Sequence, residues 1–223
     1  MAKEKKGKKG KKGKKKGAAP PHDKGWDKAI SNGKWERPFE ALPDPAAHSS
    51  FIELREKIFA SLEQLSILWT DAVTINELVE DLFKVSRDRL VKLGLRGARY
   101  LKKVVISPAT LTPHLIALDL SCCEWLEYVL LQLMALETLS LHRCGSLNKV
   151  ILHTKQLKDI NLLNCPKLSI LVLWSDALSK LELSSLDLKT IELHCPNLKD
   201  VDVLPNYPSQ EEATNDPVAQ YEA

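Results

Sequence analysis

The residues whose type and spacing could do chemistry in this chain are its five cysteines. Three of them, Cys123, Cys144 and Cys165, recur every 21 residues, and thiols at a regular spacing could line a metal site. Zinc sites, however, use closely paired ligands, such as two cysteines separated by two residues. The even spacing instead predicts that each cysteine fills one buried turn of a repeated structure. We therefore expect neither a metal nor another cofactor.

The other reactive residue types give no catalytic pattern. His142, His153 and His194 each follow the last apolar position of a short apolar segment, so we expect them on a surface. No serine or cysteine lies in a nucleophile-elbow context. The glycines at positions 7, 10 and 13 follow no strand and precede no helix, unlike those of a phosphate-binding loop. The chain is predicted not to be an enzyme and to have no small-molecule substrate.

The basic residues concentrate at the N-terminus. Residues 1–17 hold ten lysines and one glutamate, which leaves the rest of the chain acidic although its overall net charge is +3. Charge repulsion predicts a disordered arm that attracts polyanions such as acidic tubulin tails, RNA or an anionic membrane surface. A solubilising tail or a nuclear-localisation signal is the alternative. Without interleaved aromatic residues, any nucleic-acid binding is expected to be non-specific. The predicted binding residues are Lys5, Lys6, Lys8, Lys9, Lys11, Lys12, Lys14, Lys15 and Lys16.

The elements that would position these residues follow from a repeated pattern, Lxx(L/I/V)x(L/I/V). One series begins at Leu90, Leu115, Leu136, Leu157, Leu178 and Leu198, and a second series begins halfway between, at Leu101, Leu126, Leu147, Leu168 and Leu188. A fixed period near 21 residues is typical of a solenoid. The last two apolar positions of each unit flank a polar one, as in a short strand. About 10 residues per half-coil leave no room for a helix between strands, so two parallel β-sheets are predicted.

Composition divides the chain into five segments. The repeats occupy residues 90–203, and helical periodicity predicts a pair of helices in residues 50–86, with a break near Trp69–Asp71, that caps the first coil. Residues 18–49 carry Trp26, Trp35 and Phe39 among prolines and glycines, and are predicted to form an extended linker whose aromatic residues dock on the domain. Residues 1–17 and the acidic tail 204–223 are expected to be disordered.

The outward-facing positions of the strands predict a binding surface. In the first series the central outward residues are polar or acidic, whereas the second series places Leu130, Ile151 and Val172 in line. The next outward residues of the second series are Gln132, His153, Trp174 and His194. An exposed apolar stripe of this kind usually marks a contact. Either a protein partner covers it, or residues 26–39 of this chain do.

These repeats resemble a known family. The string Leu136-x-x-Leu139-x-Leu141-x-x-Cys144-x-x-Leu147 matches the leucine-rich-repeat consensus, it recurs from Leu157 to Leu168, and Cys195-Pro196 carries a related signature. It is similar to the cysteine-containing repeats of F-box/leucine-rich-repeat proteins of the plant and algal type. The resemblance implies a leucine-rich-repeat solenoid with two short parallel β-sheets, although no F-box is evident. The lysine-glycine start is similar to that of flagellar axoneme proteins.

Three hypotheses for the function follow. The first is a protein-binding scaffold of a ciliary or flagellar axoneme, docked on microtubules through the basic arm. The second is a substrate-recognition subunit of a ubiquitin ligase, which would bind an adaptor through residues 40–86. The third is an RNA- or nucleolus-associated protein. The sequence has no secretory signal and no apolar run long enough to span a membrane, which predicts a cytoplasmic protein, with the cilium or the nucleus as its possible sites.

Overall fold

A computed structural model describes residues 23–44, 46–85, 89–106, 114–184 and 187–204. The lysine arm and the tail after Leu204, both predicted to be disordered, lie outside these ranges, as do all nine predicted polyanion-binding lysines. The described ranges hold three helices, α1 (Lys24–Asn32), α2 (Ser50–Ser61) and α3 (Ile75–Val85), and a short 3₁₀ turn (Phe39–Ala41).

Thirteen strands within these ranges form a solenoid of two parallel sheets. The larger sheet contains β1 (Lys34–Trp35), β2 (Gln64–Ser66), β3 (Lys92–Gly94), β5 (Ala117–Asp119), β7 (Thr138–Ser140), β9 (Asp159–Leu162), β11 (Lys180–Leu183) and β13 (Asp200–Val203), in that spatial order. The smaller sheet contains β4 (Lys103–Ile106), β6 (Tyr128–Gln132), β8 (Lys149–His153), β10 (Ile170–Trp174) and β12 (Thr190–His194). The two predicted series of repeats are confirmed, with about 21 residues per coil.

The leucines of the repeats form one continuous core between the sheets. Leu118, Leu139 and Leu181 of the larger sheet and Val150 and Leu171 of the smaller sheet are at most 2% exposed. Because each coil stacks in register on the next, a core position of one strand lies beside the same position of its neighbour. The side chains that alternate with these core residues along each strand therefore lie on the two outer surfaces of the solenoid.

The solenoid begins earlier than Leu90, where the sequence analysis places its first repeat. Leu65 and Leu62, assigned above to a helix, lie in strand β2 and just before it, because α2 ends at Ser61. Leu62-x-x-Leu65-x-Ile67 is itself a unit of the repeat pattern, and all three residues are buried. The break between the capping helices is therefore a strand-containing half-coil and not a simple turn.

Residues 18–49 were predicted to form an extended linker, but helix α1 lies within this segment. The Asp23 side chain accepts a 2.7 Å hydrogen bond from the N–H of Gly25 and caps the helix start. Gly33, at φ 67°, ends the helix by donating its N–H to the carbonyl of Ala29. Trp26 and Trp35 are buried, and β1 adds a strand to the edge of the larger sheet beside β2.

Helix α3 takes the place of a smaller-sheet strand at the start of the solenoid. The side-chain amide of Asn76 donates to the carbonyl of Tyr100 at 2.9 Å and accepts from the N–H of Lys102 at 3.1 Å, which holds the start of the helix to the segment just before β4. Leu78 and Leu82 of this helix are fully buried. The described part of the chain contains no helix both long and apolar enough to cross a membrane.

Candidate protein-binding face

The outer surface of the smaller sheet, which we call the apolar face, carries the predicted binding residues. Its five strands pair in register, so that outward side chains at the same position form straight columns across the coils. The central column reads Val105, Leu130, Ile151, Val172 and Glu192. Four stacked aliphatic side chains therefore precede a single carboxylate at the last coil.

Val105 extends the predicted stripe by one coil and was missed in the sequence analysis. It pairs with Leu130 across β4 and β6, and its side chain is 43% exposed. The signal was present, since Val105 is the outward residue of the unit Leu101-Val104-Ile106. Exposure falls along the column to 9% at Val172, which lies between Ile151 and Glu192 on the neighbouring strands.

A second column of the apolar face is aromatic. The indole of Trp174 stacks on the ring of His194, with centroids 4.9 Å apart and planes at 3°. On its other side the ring of His153 lies 5.6 Å away at a tilted angle. Gln132 begins this column on β6. The structure thus brings together all seven residues predicted for this surface, in two neighbouring columns of one sheet.

A third column flanks the aliphatic one on its other side. It contains Lys103, Tyr128, Lys149, Ile170 and Thr190. The ammonium of Lys149 lies 5.6 Å from the centroid of the Tyr128 ring, close enough for a cation–π contact. The apolar strip is therefore bordered by lysines on one side and by imidazoles on the other.

The outer surface of the larger sheet, which we call the polar face, has a different chemistry. The carboxylate of Asp119 accepts hydrogen bonds from the N–H and the hydroxyl of Ser121 at 2.9 and 2.5 Å, and that hydroxyl also lies 2.7 Å from the hydroxyl of Ser140. Two coils after Asp119, the side chain of Asn161 accepts a hydrogen bond from the N–H of Leu163 at 3.0 Å. These outward side chains shape the turns that leave the larger sheet.

The cysteines occupy those same turns and face inward. The thiols of Cys123, Cys144 and Cys165 donate to the carbonyls of Leu95, Leu120 and Leu141 of the preceding coils, at 3.1 to 3.2 Å. Burial raises the pKa of Cys123 to about 12 and that of Cys165 to about 11, and it raises the pKa of Cys144 as well. Thiols held in the neutral form are poor nucleophiles and poor metal ligands.

Within the described ranges, no group of three or more His, Cys, Asp or Glu side chains could hold a metal ion. The buried cysteines instead support the backbone from one coil to the next. Each satisfies a carbonyl that points into the turn, which accounts for their 21-residue spacing.

Residues 26–39 lie away from the apolar face. The indole N–H of Trp26 donates to the carbonyl of Ala41 at 2.8 Å, and the Trp26 ring meets that of Phe51 edge-on at 5.2 Å. Trp35 lies in β1, at the edge of the larger sheet. Because this segment packs on α2 and β2, the described residues leave the aliphatic column uncovered by it.

Two comparisons with known proteins bear on this chain. No protein-family model matches it. A stretch of 127 residues, 57% of the chain, is 35% identical to a protein of Chlamydomonas reinhardtii named dynein regulatory complex subunit 6. The match covers 48% of that protein, so the chain spans about half the length of this relative.

Proposed function

We propose that this chain is a non-catalytic structural subunit of a ciliary axonemal complex, which binds a protein partner through its apolar face and docks on the microtubule through its lysine arm. The observation that carries the proposal is the aliphatic column from Val105 to Val172, which continues across four coils of a surface whose counterpart is polar. Repeat proteins commonly bind partners through such extended surfaces.

The relative supports the axonemal part of the proposal. Its name places it in a complex that regulates dynein, and the two chains share 35% identity over 127 residues. The lysine-glycine N-terminus, similar to that of flagellar axoneme proteins, is a separate feature that agrees with the same setting. A regulatory-complex subunit needs binding surfaces and no catalytic centre.

The apolar face supports a protein partner in preference to a small ligand. Its aliphatic and aromatic columns lie on the outer surface of a sheet, whereas small-molecule sites are clefts or cavities. Trp174, which lies between the rings of His153 and His194, is of a residue type enriched among those that dominate binding energy. The flanking Lys103 and Lys149 would favour a partner with acidic residues beside its apolar contact.

The face is tested by affinity capture from ciliary extract with the full chain as bait. The double variant Ile151→Asn and Trp174→Ala removes an aliphatic and an aromatic contact and should reduce partner capture at least tenfold. The matched control changes two exposed residues of the polar face, Thr138→Asn and Asp159→Ala, and should capture the partner normally. Equal capture by both variants would show that the apolar face is not the binding surface.

The lysine arm is tested separately by co-sedimentation with microtubules. Deleting residues 2–17 should weaken binding, and the binding of the full chain should fall as salt rises, because exposed charges are screened within about 10 Å at 0.1 M salt. A variant in which the nine lysines from Lys5 to Lys16 become glutamine keeps the length and the glycine positions of the arm. If this variant still sediments with microtubules, or if RNA binds the arm more tightly than tubulin, the docking role is wrong.

A further inference from the structure

The last coil exposes core positions that are buried in every preceding coil of the larger sheet. Val201 and Val203 on β13 are 45% and 60% exposed, whereas Leu181 and Leu183, their partners on β11, are fully buried. Ile191 on β12 is likewise 48% exposed. Both strands are the last of their sheets among the described residues, so each has one side without a neighbouring strand.

The opposite end of the solenoid is closed. Helices α2 and α3 and strands β1 and β2 cover it, and Phe59 and Leu82 are buried there. Among the described residues the two ends therefore differ, with a cap on the first coil and an exposed apolar edge on the last. An exposed strand edge of this kind is a template for pairing with another chain.

The hydrogen-bonding groups of β13 are arranged to accept a further parallel strand. The N–H of Leu204 donates back to the carbonyl of Leu183 at 2.8 Å. In earlier coils, N–H groups at the position of Val203 donate forward, as Leu141 does to Asn161 at 2.9 Å. By the same pattern the N–H of Val203 points away from β11, toward the open edge.

The outward residues of β13 are both acidic, and the chain pairs successive coils through opposite charges. Lys180 lies 3.5 Å from the carboxylate of Asp202, and Lys158 lies 2.9 Å from that of Glu137 one coil earlier. Arg99 and Glu124, which belong to successive coils near the start of the solenoid, form another such pair at 3.1 Å. A strand added beyond β13 would meet Asp200 and Asp202, and basic side chains would match them.

This charge pattern argues against two occupants from the chain itself. The residues after Leu204 contain four carboxylates and no lysine or arginine. A second copy related by a two-fold axis would pair β13 with itself in an antiparallel ladder. If the valines of both copies face inward, the aspartates of the two strands come to lie opposite or diagonal to each other. Like charges directly opposite each other destabilise a strand pair.

We propose that the open edge of β13 binds an extended strand of a partner protein, in which apolar side chains alternate with lysine or arginine. The apolar side chains would cover Val201 and Val203, the basic ones would pair with Asp200 and Asp202, and the backbone would continue the ladder. This site uses neither the apolar face nor the lysine arm, so its success or failure is independent of the function proposed above.

The test uses the isotope-labelled full chain and three blocked nine-residue peptides. One alternates valine with lysine, one alternates valine with glutamate, and one has the valine–lysine composition with each residue type grouped in a block. The alternating valine–lysine peptide should shift the amide signals of β13 and slow the hydrogen exchange of Val203 at least tenfold at saturation. The other two peptides should do neither.

Two variants check the role of charge. Asp200→Lys combined with Asp202→Lys should reverse the preference, so that the valine–glutamate peptide binds and the valine–lysine peptide weakens about tenfold. The matched control Asp159→Lys changes the outward position of β9 in the same column as Asp200 and should leave peptide binding unchanged. All three positions are exposed or at the sheet edge, so the fold should tolerate the changes.

Three results would overturn the proposal. Protection of the Val203 amide in the isolated chain would show that the edge is already covered, by a second copy if protection rises with protein concentration and by the chain's own tail if it does not. Equal protection by the block peptide would show a purely electrostatic attraction. Binding that does not respond to the charge-reversed variant would remove the proposed basis of recognition.

Discussion

The polar and apolar faces are built on the same coils, yet their outward side chains do different things. On the polar face Asp119 and Asn161 accept hydrogen bonds from backbone N–H groups two residues ahead, so these side chains help to form the turns. On the apolar face Leu130, Ile151 and Val172 lie side by side in one column, and their aliphatic side chains can accept no hydrogen bond from a turn.

The difference separates outward positions that the coil requires from outward positions that it leaves free. A side chain that closes a turn is constrained in type, because only an acceptor such as aspartate or asparagine can take its place. A side chain on the other face only needs to suit a strand, which a polar residue such as threonine would also do. The coil itself does not require an aliphatic column at such positions across four coils, which is why we propose that a partner covers it.

The largest expected effect tests whether the two faces share one folding unit. Below pH 9 the buried thiols are neutral in both the folded and unfolded chains, but above it the unfolded thiols ionise while the folded ones, with a raised pKa, do not. Stability is therefore lost as pH rises from about 9 toward 11 or 12. At pH 10 Cys123 and Cys165 should each cost roughly 1 kcal/mol of the free energy of unfolding, and Cys144, whose pKa is also raised by burial, adds to the loss.

Urea unfolding at pH 7 and pH 10 measures this loss, and Cys165→Ala should reduce it by the contribution of that one thiol, roughly 1 kcal/mol. Hydrogen exchange should show the strands of both sheets losing protection together, since both rest on the same core. Loss of protection in only one sheet would mean that the two faces do not belong to one cooperative unit.

The next effect compares equivalent changes on the two faces. Val172→Asp places a carboxylate at a 9% exposed position beside Glu192 and should cost about 2–3 kcal/mol of stability. Asn161→Asp on the polar face should cost less than about 0.5 kcal/mol, because Asp119 already makes the same turn with a carboxylate. Thermal or urea unfolding of both variants checks the contrast, and equal losses would contradict it.

A smaller effect tests the turn-forming role of the polar face. Asp119→Leu removes the acceptor for the N–H and hydroxyl of Ser121 and should cost about 1–2 kcal/mol. Asp119→Asn restores an acceptor and should recover most of this loss, as measured by urea unfolding. If leucine were tolerated as well as asparagine, the polar face would be no more constrained than the apolar one.

The smallest effect concerns the backbone at those turns. Cys122, Arg143 and Asn164 adopt left-handed conformations with φ of 57–59°, and Gly97 takes the equivalent position in an earlier coil at φ 70°. Arg143→Gly should therefore be more stable than Arg143→Ala by roughly 1 kcal/mol, because only glycine adopts this conformation without strain. A difference of the opposite sign would show that the turn relaxes, and would weaken the claim that it constrains the polar face.

Much of the fold could be predicted because the leucines of the repeat pattern all have the same role, which is to fill the core between the two sheets. The period alone places Leu139 and Leu171 in the core and leaves Ile151 and Trp174 outside. The half-coil at Leu62-x-x-Leu65-x-Ile67 was within reach of the same pattern, but its spacing also fits a helix that continues from α2. Two periodicities overlap there, and the end of α2 at Ser61 settles the choice in favour of the strand.

The sequence by itself determined the coil, because inward and outward positions follow from a short pattern repeated along the chain. Only the tertiary structure decided what covers each surface. Trp26 could have docked on the apolar face, but its hydrogen bond to Ala41 and its contact with Phe51 place it at the cap of the first coil. Contacts of this kind join elements that differ in type, and no periodicity in the sequence relates them.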